Sequence, residues 1–483
     1  MTGPTRAADD AIVVGSGPNG LAAAITLAEH GWKVLVLEAA ETIGGGTRTR
    51  ALTLPGFLHD VCSAIHPMAV ASPFLRKRPL QDHGLEWCWP AVQVAHPLDD
   101  GTSVALDRDL SRTVESLGEE GPGYRRLLEP FVGSARQLLD GVLEPWRLPA
   151  HPLLLAKFGW LACHSAEWLA GRLPGPRTRA LFAGAAGHAV VPLDQPFSAA
   201  VGLVLCIVAH AEGWPAAKGG SAAITQAMAS YLQSLGGRIE TGQAVQCLAE
   251  LPRARAVLFD TSPRAFARIA AAGLPEAYRK GLLRYRHGPA AFKVDWALSG
   301  PIPWRSNECR RAGTVHVGGT FAEIAAAEEA PWRGRPHPQP FVLVAQQSLF
   351  DATRAPAGQH TGWAYCHVPN GDQSDRVAAI EDQIERFAPG FKSLILGRSV
   401  LSPADFEAYN ANFVGGDVVG GAQDWVQLLA RPMLRTNPYA TPNPRLYLCS
   451  ASTPPGGGVH GMGGFLAARA ALKRAGRLPP TSW

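Results

Sequence analysis

The sequence predicts an α/β chain, α+β overall, with one domain assembled from discontinuous segments and a second domain of mixed sheet and helical cap. Three observations predict it. An apolar strand from Ala11 enters the turn Gly15-Ser-Gly-Pro-Asn-Gly20 and an Ala-rich helical run to His30. A second apolar run, Val34-Leu-Val-Leu37, ends on Glu38. Near the far end, another strand, glycine-rich turn and Ala-rich helix surround Ser452-Thr-Pro-Pro-Gly-Gly-Gly-Val-His-Gly461.

Each glycine of the first turn has a separate task. Gly15 permits the tight turn, Gly17 lets backbone approach a pyrophosphate, and Gly20 lets the helix pack close to its strand. Pro18 and Asn19 open that helix, whose unpaired N–H groups and positive dipole end favour phosphate. Glu38, followed by Ala39, is placed to accept hydrogen bonds from ribose hydroxyls and disfavours a 2′-phosphate, so FAD or NAD is expected over NADP. Glycine triplets arise by chance in a chain holding 52 glycines. Here strand, helix, second strand and acidic terminus agree, which predicts a Rossmann-like dinucleotide site.

Downstream, Gly44-Gly45-Gly46-Thr47-Arg48 forms a second glycine turn followed by arginine. This turn resembles the glycine doublet of FAD-containing oxidoreductases in the amine oxidase and phytoene desaturase superfamily. The resemblance implies that it runs under flavin and pyrophosphate, with Arg48 adding fixed positive charge; a plain surface loop is the bland alternative. In the carboxyl-terminal motif Gly456, Gly458 and Gly461 fit the nucleotide pattern, yet no acidic residue follows at the distance a separate NAD site wants. The motif, with Ser452, Pro455, Gly457, Gly458, Val459 and His460, therefore reads as the other wall of the FAD site. Amine oxidases usually carry an acidic residue before the threonine, where this chain has Ala451 and Ser452. That difference makes the chain similar to phytoene desaturase-related proteins, in the branch of pyridine nucleotide-disulfide oxidoreductase domain-containing protein 2.

The same resemblance extends over residues 197–245 and implies that the backbone of Val245 meets the adenine. Relatives continue into a hairpin there, whereas residues 246–255 make a short, proline-interrupted link to the strand 256–259 and the turn Asp260-Thr261-Ser-Pro263.

At 483 residues the chain can fill two or three domains. Its 46% hydrophobic and 18% charged content with net charge +5, not gathered into runs, describes a rather apolar protein without a nucleic-acid footprint. Eight scattered cysteines without a CxxC read as reduced, mostly buried thiols in a cytoplasmic protein, with neither disulfides nor a metal site. No apolar stretch reaches the roughly 18 residues that span a bilayer; the longest, from Phe197 to Ala209, reads as buried beside the flavin.

The dinucleotide domain is expected from residues 1–70, 216–285 and 425–483, and the substrate domain from 71–215, a helical cap, and 286–424, a β-rich part. In the cap, large apolar residues including Trp160 and Trp168 are flanked by Arg147, Lys157 and Arg172. They suit either peripheral membrane contact or, the favoured reading, packing into the core.

Oxidised flavin accepts a hydride, so oxidation of an apolar molecule needs few ionisable groups. The foremost candidate is Lys293, in Phe292-Lys-Val-Asp-Trp296, similar to the amine oxidase strand whose lysine reaches the flavin through a water; an outward-facing lysine is the alternative. His66, near Asp60, could serve as acid or base or as a structural histidine. Asn410, Asn412 and Asp417 form a polar loop for which turn chemistry is favoured. The expected function is FAD-dependent oxidation or desaturation of an apolar, isoprenoid or lipid-like molecule by a monomer or homodimer, with oxygen or a quinone as electron acceptor. The alternatives are an amine oxidase, or a flavin-stabilised binding protein without turnover.

Overall fold

The computed structural model describes residues 9–145 and 149–478, so Arg147 of the cap lies outside the described residues. In chain order its longer strands are β1 (Ala11–Val14), β2 (Val34–Leu37), β3 (Val92–Pro97), β4 (Ser103–Leu106), β5 (Arg238–Glu240), β6 (Ala256–Phe259), β7 (Ala290–Leu298), β8 (Ala312–Val317), β9 (Val342–Ala345), β10 (His360–Val368), β11 (Ile395–Leu401) and β12 (Leu446–Leu448). The helices that position the site are α1 (Pro18–Glu29), α2 (Ser198–Ala211), α3 (Ala222–Ser234), α4 (Phe321–Trp332) and α5 (Met462–Arg474).

Five strands form a wholly parallel sheet in the order β12-β6-β1-β2-β5. Strands β1, β2 and β6 are buried along their whole length, which explains why their sequences are continuous apolar runs and do not alternate. All five come from residues 11–37, 238–259 and 446–448, so distant pieces of chain build one sheet. Between β5 and β6 there is only a short 3-10 turn, Leu248–Glu250, and no hairpin.

Seven strands form the second, mixed sheet in the order β11-β7-β10-β9-β8-β3-β4. Residues 71–215 were expected to supply a helical cap alone, but β3 and β4 from that stretch extend the sheet, β3 pairing parallel with β8. The strand Val92-Gln-Val-Ala-His-Pro97 is buried throughout, and its His96 and Gln93 mask its apolar character in sequence. Apart from a two-residue strand, Trp87–Cys88, the other regular elements described in the stretch are helical, and α2, too short to cross a bilayer, is packed into the core. No described helix is long and apolar enough to cross a membrane. In the cap, Phe158, Ala162 and Leu169 are buried, and Trp168 is covered by His164, with ring centroids 3.6 Å apart, and by the Arg172 guanidinium at 3.4 Å. Leu153 and Trp160 stay exposed. The cysteines are unpaired; Cys206, Cys309, Cys366 and Cys449 are buried, Cys163 and Cys247 exposed.

Head and tail of the chain meet where α5 crosses α1. A Cβ on Gly464 would lie 1.8 Å from the Asn19 carbonyl oxygen, and the Gly464 N–H reaches Asn19 Oδ1 at 3.4 Å. Backbone cannot retreat there as a flexible side chain would. Gly464→Ala should therefore lower the unfolding free energy by about 1–3 kcal/mol, read as a lower denaturant midpoint with an unchanged slope.

Candidate functional site

A cavity of about 830 Å³ runs from the β1–α1 turn to the mixed sheet. At its first end Gly15 has φ +103°, and a Cβ on Gly20 would lie 2.1 Å from the Gly15 carbonyl oxygen. The second glycine turn presses on the first: a Cβ on Gly45 would lie 3.2 Å from Gly17 Cα. The Gly457 backbone closes against the Val419 carbonyl, 2.5 Å from a Cβ built there. Glycine backbone therefore frames much of this end, with the Asp260 carboxylate 2.7 Å from a Cβ built on Gly17, and bare backbone N–H groups of this kind suit a diphosphate.

Glu38 ends β2 beside the turn. Its carboxylate accepts hydrogen bonds from Ser16 N at 2.9 Å, Ser16 Oγ at 2.6 Å and Ala40 N at 2.9 Å, and pairs with Arg48 at 3.2 Å. Arg48 also donates to the carbonyls of Thr42, Ile43 and Gly45, so its charge holds the loop in shape. Asp260, at the end of β6, accepts the Gly20 N–H at 2.8 Å. Burial pushes its carboxyl up to about 7, the Gly20 hydrogen bond pulls it down, and Glu38 pushes it further up. Thr261 lines the same wall with a buried hydroxyl that has no partner, as a ligand-binding group would before its ligand is counted.

At the other end β7 and β10 offer one face to the cavity. The register sets Ala291 opposite His367, Lys293 opposite Tyr365, and Asp295 opposite Trp363. Lys293 is buried, ion-paired to Asp295, and lies 5.9 Å from the Trp363 ring centroid. Asp295 also faces His59 Nδ1 at 3.5 Å. Cys62 lines the wall nearby; burial pushes its thiol up to about 12 against the pull of Lys293. Val201, Leu205, Trp214 and Leu343 make the remaining surface largely apolar.

The NAD(P)-binding Rossmann-like domain family matches residues 13–77. Over 95% of its length the chain is 26% identical to pyridine nucleotide-disulfide oxidoreductase domain-containing protein 2 of Rattus norvegicus, of which 92% is covered. It is 25% identical to the phytoene dehydrogenase of Streptomyces griseus over 83% of each protein. The chain is a relative of the phytoene desaturases. Among solved structures, an oxidoreductase from Methanosarcina mazei shares the fold with a TM-score of 0.64 at 16% identity, covering 96% of this chain and 99% of that one. An engineered putrescine oxidase does so with a TM-score of 0.62 at 18% identity, covering 97% and 99%.

In this phytoene desaturase relative the cavity gathers most of the residues singled out in the sequence. Gly15, Gly17, Pro18, Asn19, Glu38, Ala39, Gly45, Gly46, Thr47, Arg48, Val245, Thr261, Ser452, Gly457, Gly458 and Val459 all line it, as do Lys293 and His66. Gly20 lies behind the turn, in the packing role its spacing suggests. Pro455 and His460 are not in the lining; His460 is buried, its Nδ1 accepts the Met462 N–H at 3.1 Å, and its carbonyl accepts from Ser72 Oγ at 2.6 Å. Its side chain caps the start of α5 because the Gly458–Gly461 turn points it inward.

The outward-facing alternative for Lys293 is excluded by its burial. His66 contacts Ser221 Oγ at 2.7 Å and Ser63 Oγ at 3.4 Å, and burial pushes it down to about 4, so it is a neutral ring tied to two hydroxyls. Asp60 beside it pairs with Arg354 at 2.9 Å and accepts the Ser221 N–H at 2.7 Å. In the polar loop, Asn410 and Asn412 line the cavity, Asn412 Oδ1 accepting the Ser262 N–H at 2.8 Å, while Asp417 accepts the N–H groups of Gly288, Val419 and Gly420. Sequence reasoning missed His188, Tyr365 and His367 in the lining; the period-two spacing of Trp363, Tyr365 and His367 was the available signal.

The Asp260 carboxyl is higher in the fold than in the unfolded chain, so its contribution to stability is fully present below about 4 and lost as pH rises through about 7. Asp260→Asn, which can still accept from Gly20, should match the wild type near pH 4 and exceed it by at least about 1 kcal/mol above pH 7, measured by urea denaturation at matched cofactor content.

Proposed function

We propose that this chain is an FAD-dependent oxidoreductase that desaturates or otherwise oxidises an apolar small molecule. One observation carries the reading: a single cavity joins a glycine-rich cradle suited to a diphosphate to a largely apolar chamber. The cradle residues fit the cofactor. The Gly15–Asn19 turn and the start of α1 would hold the pyrophosphate, Glu38 the ribose, and Val245 and Thr261 the adenosine side. Glu38 has the acceptor chemistry for this, and Ser16 Oγ is a rotatable donor able to yield its place. Gly45, Gly46, Gly457, Gly458 and Val459 would line the flavin end. Bound there, the flavin supplies a two-electron oxidant that takes hydride from carbon.

The protein's own groups then have limited tasks. The apolar walls orient the substrate and exclude water. Lys293 places a buried cation beside the flavin end, and Asp295 keeps it from being an uncompensated charge. No acidic residue replaces Ala451, and the relatives by sequence are named for phytoene oxidation, so an apolar substrate is favoured over an amine. Oxygen or a quinone is the proposed acceptor, and Leu153 and Trp160 the proposed place of peripheral membrane contact.

The purified protein should be yellow and release FAD, not FMN, on heat denaturation, identified by mass spectrometry; colourless protein that cannot be reconstituted with FAD would refute the reading. In stopped-flow measurements Lys293→Met should slow flavin reduction or reoxidation at least about tenfold, the scale of one lost electrostatic contact. Wild-type rates would remove Lys293 from the mechanism.

A further inference from the structure

The mixed-sheet wall carries polar groups for which a hydrocarbon has no use. His367 on β10 is buried and lines the cavity, with its Nδ1 2.9 and 2.8 Å from the two carboxylate oxygens of Glu328 on α4. A carboxylate only accepts, so Nδ1 carries a proton, and in the tautomer this contact selects Nε2 holds the lone pair. Among the described residues no group bonds to Nε2. Two residues earlier, on the same strand face, Tyr365 lines the cavity with its ring centroid 5.5 Å from that of His367. Its hydroxyl makes no hydrogen bond among the described residues and faces the cavity, and burial holds the phenol protonated. His188 faces the same space, its own Nε2 occupied by His316 Nε2 at 3.0 Å.

The chamber thus presents one acceptor, Nε2 of the His367–Glu328 dyad, and one hydroxyl inside apolar walls. A ligand that displaces water from such groups without replacing its hydrogen bonds forfeits about 1–3 kcal/mol for each. A ligand hydroxyl satisfies both at once, donating to His367 Nε2 and accepting from Tyr365 Oη.

We propose that the chamber takes an apolar alcohol, that Tyr365 and His367 hold its hydroxyl, and that His367 Nε2 takes the hydroxyl proton. The inference rests on the flavin oxidoreductase reading above and narrows its substrate class. With FAD held in the cradle as the two-electron oxidant, the O–H proton would pass to Nε2, the carbinol C–H would leave as hydride to the flavin, and the C–O bond would become a carbonyl, so two electrons and two hydrogens are accounted for. Glu328 is a positioning residue: it fixes the tautomer and stabilises the imidazolium that proton uptake creates.

The test uses FAD-loaded protein and a panel of primary and secondary alcohols from hexanol to farnesol, each paired with its methyl ether, which keeps the body and lacks the O–H. Binding is read from quenching of tryptophan fluorescence, Trp214 and Trp363 being in the wall. At least one alcohol should bind about tenfold or more tightly than its ether and reduce the flavin anaerobically. His367→Gln and the near-isosteric Tyr365→Phe should each bring that ratio towards one while FAD content is kept. His367→Gln should also slow flavin reduction at least about hundredfold. Glu328→Gln should retain the binding preference and lose reduction rate, a split between affinity and turnover that a merely structural contact would not give. FAD-loaded protein in which no alcohol is preferred to its ether, or variants that keep the preference, would overturn the hydroxyl site. Wild-type protein without FAD would overturn the functional reading and the proton step with it.

Discussion

Close approach of bare backbone is the constraint on which the rest of this structure depends. Gly17 and Gly45 touch through their Cα atoms' neighbourhood, Gly20 sits on the Gly15 carbonyl, and Gly464 sits on the Asn19 carbonyl. A methyl group at any of these points would meet a backbone atom or the Asp260 carboxylate within 3.2 Å. The diphosphate cradle and the α1–α5 crossing are therefore one steric arrangement, contributed by residues 15–20, 45 and 464. β12 pairs with β6 at the edge of the parallel sheet, and α5 then carries the chain back over α1.

Two buried charge networks hold the second domain against this cradle. Arg354, fully buried, pairs with Asp60 and Asp351 at 2.9 Å each, and Asp60 also accepts from Thr49 Oγ1 and the Ser221 N–H. Lys293 and Asp295 on β7 meet His59 from the other domain. Buried pairs of this kind add little net stability, because desolvation offsets their attraction, but losing one partner costs several kcal/mol. Their effect is to fix one relative placement of sheet and cradle. His66, neutral and tied to Ser221, belongs to the same join, which explains a histidine beside the cavity without assigning it chemistry.

What could be read in the sequence was what is local. The β1–α1–β2 unit with Glu38, the strand 256–259 and the final strand–turn–helix each occupy a short window whose glycine spacing and apolar runs have a direct steric cause. Lys293 was legible because its strand repeats a familiar pattern. The chamber was not: Glu328 and His367 are 39 residues apart on a helix and a strand, and His188 and His316 are separated by 128. Only the antiparallel register and the packing of α4 on the sheet bring them together. Strands β3 and β4 were hidden for a related reason, since Gln93 and His96 are buried polar residues with partners elsewhere: Gln93 accepts the Trp214 N–H, and His96 Nε2 meets the Gly319 carbonyl. His460 misled in the opposite direction, because a residue inside a binding turn need not aim its side chain at the ligand.

The two ends of the mixed-sheet face are polar in different ways, and the difference bears on chemistry. Lys293 is a cation already matched to a carboxylate, so that end presents a neutralised pair whose field is short-ranged. His367 is matched to a carboxylate at one nitrogen only, which leaves its Nε2 to face a ligand. Tyr365 stands between them, opposite Lys293 in register and edge-on to His367. A purely hydrocarbon substrate would leave Tyr365 and His367 unsatisfied while gaining nothing from Glu328, whose burial on α4 carries a desolvation cost of its own. An oxygenated substrate removes that mismatch, with its apolar body left to walls that include Leu343, Leu205 and Val201.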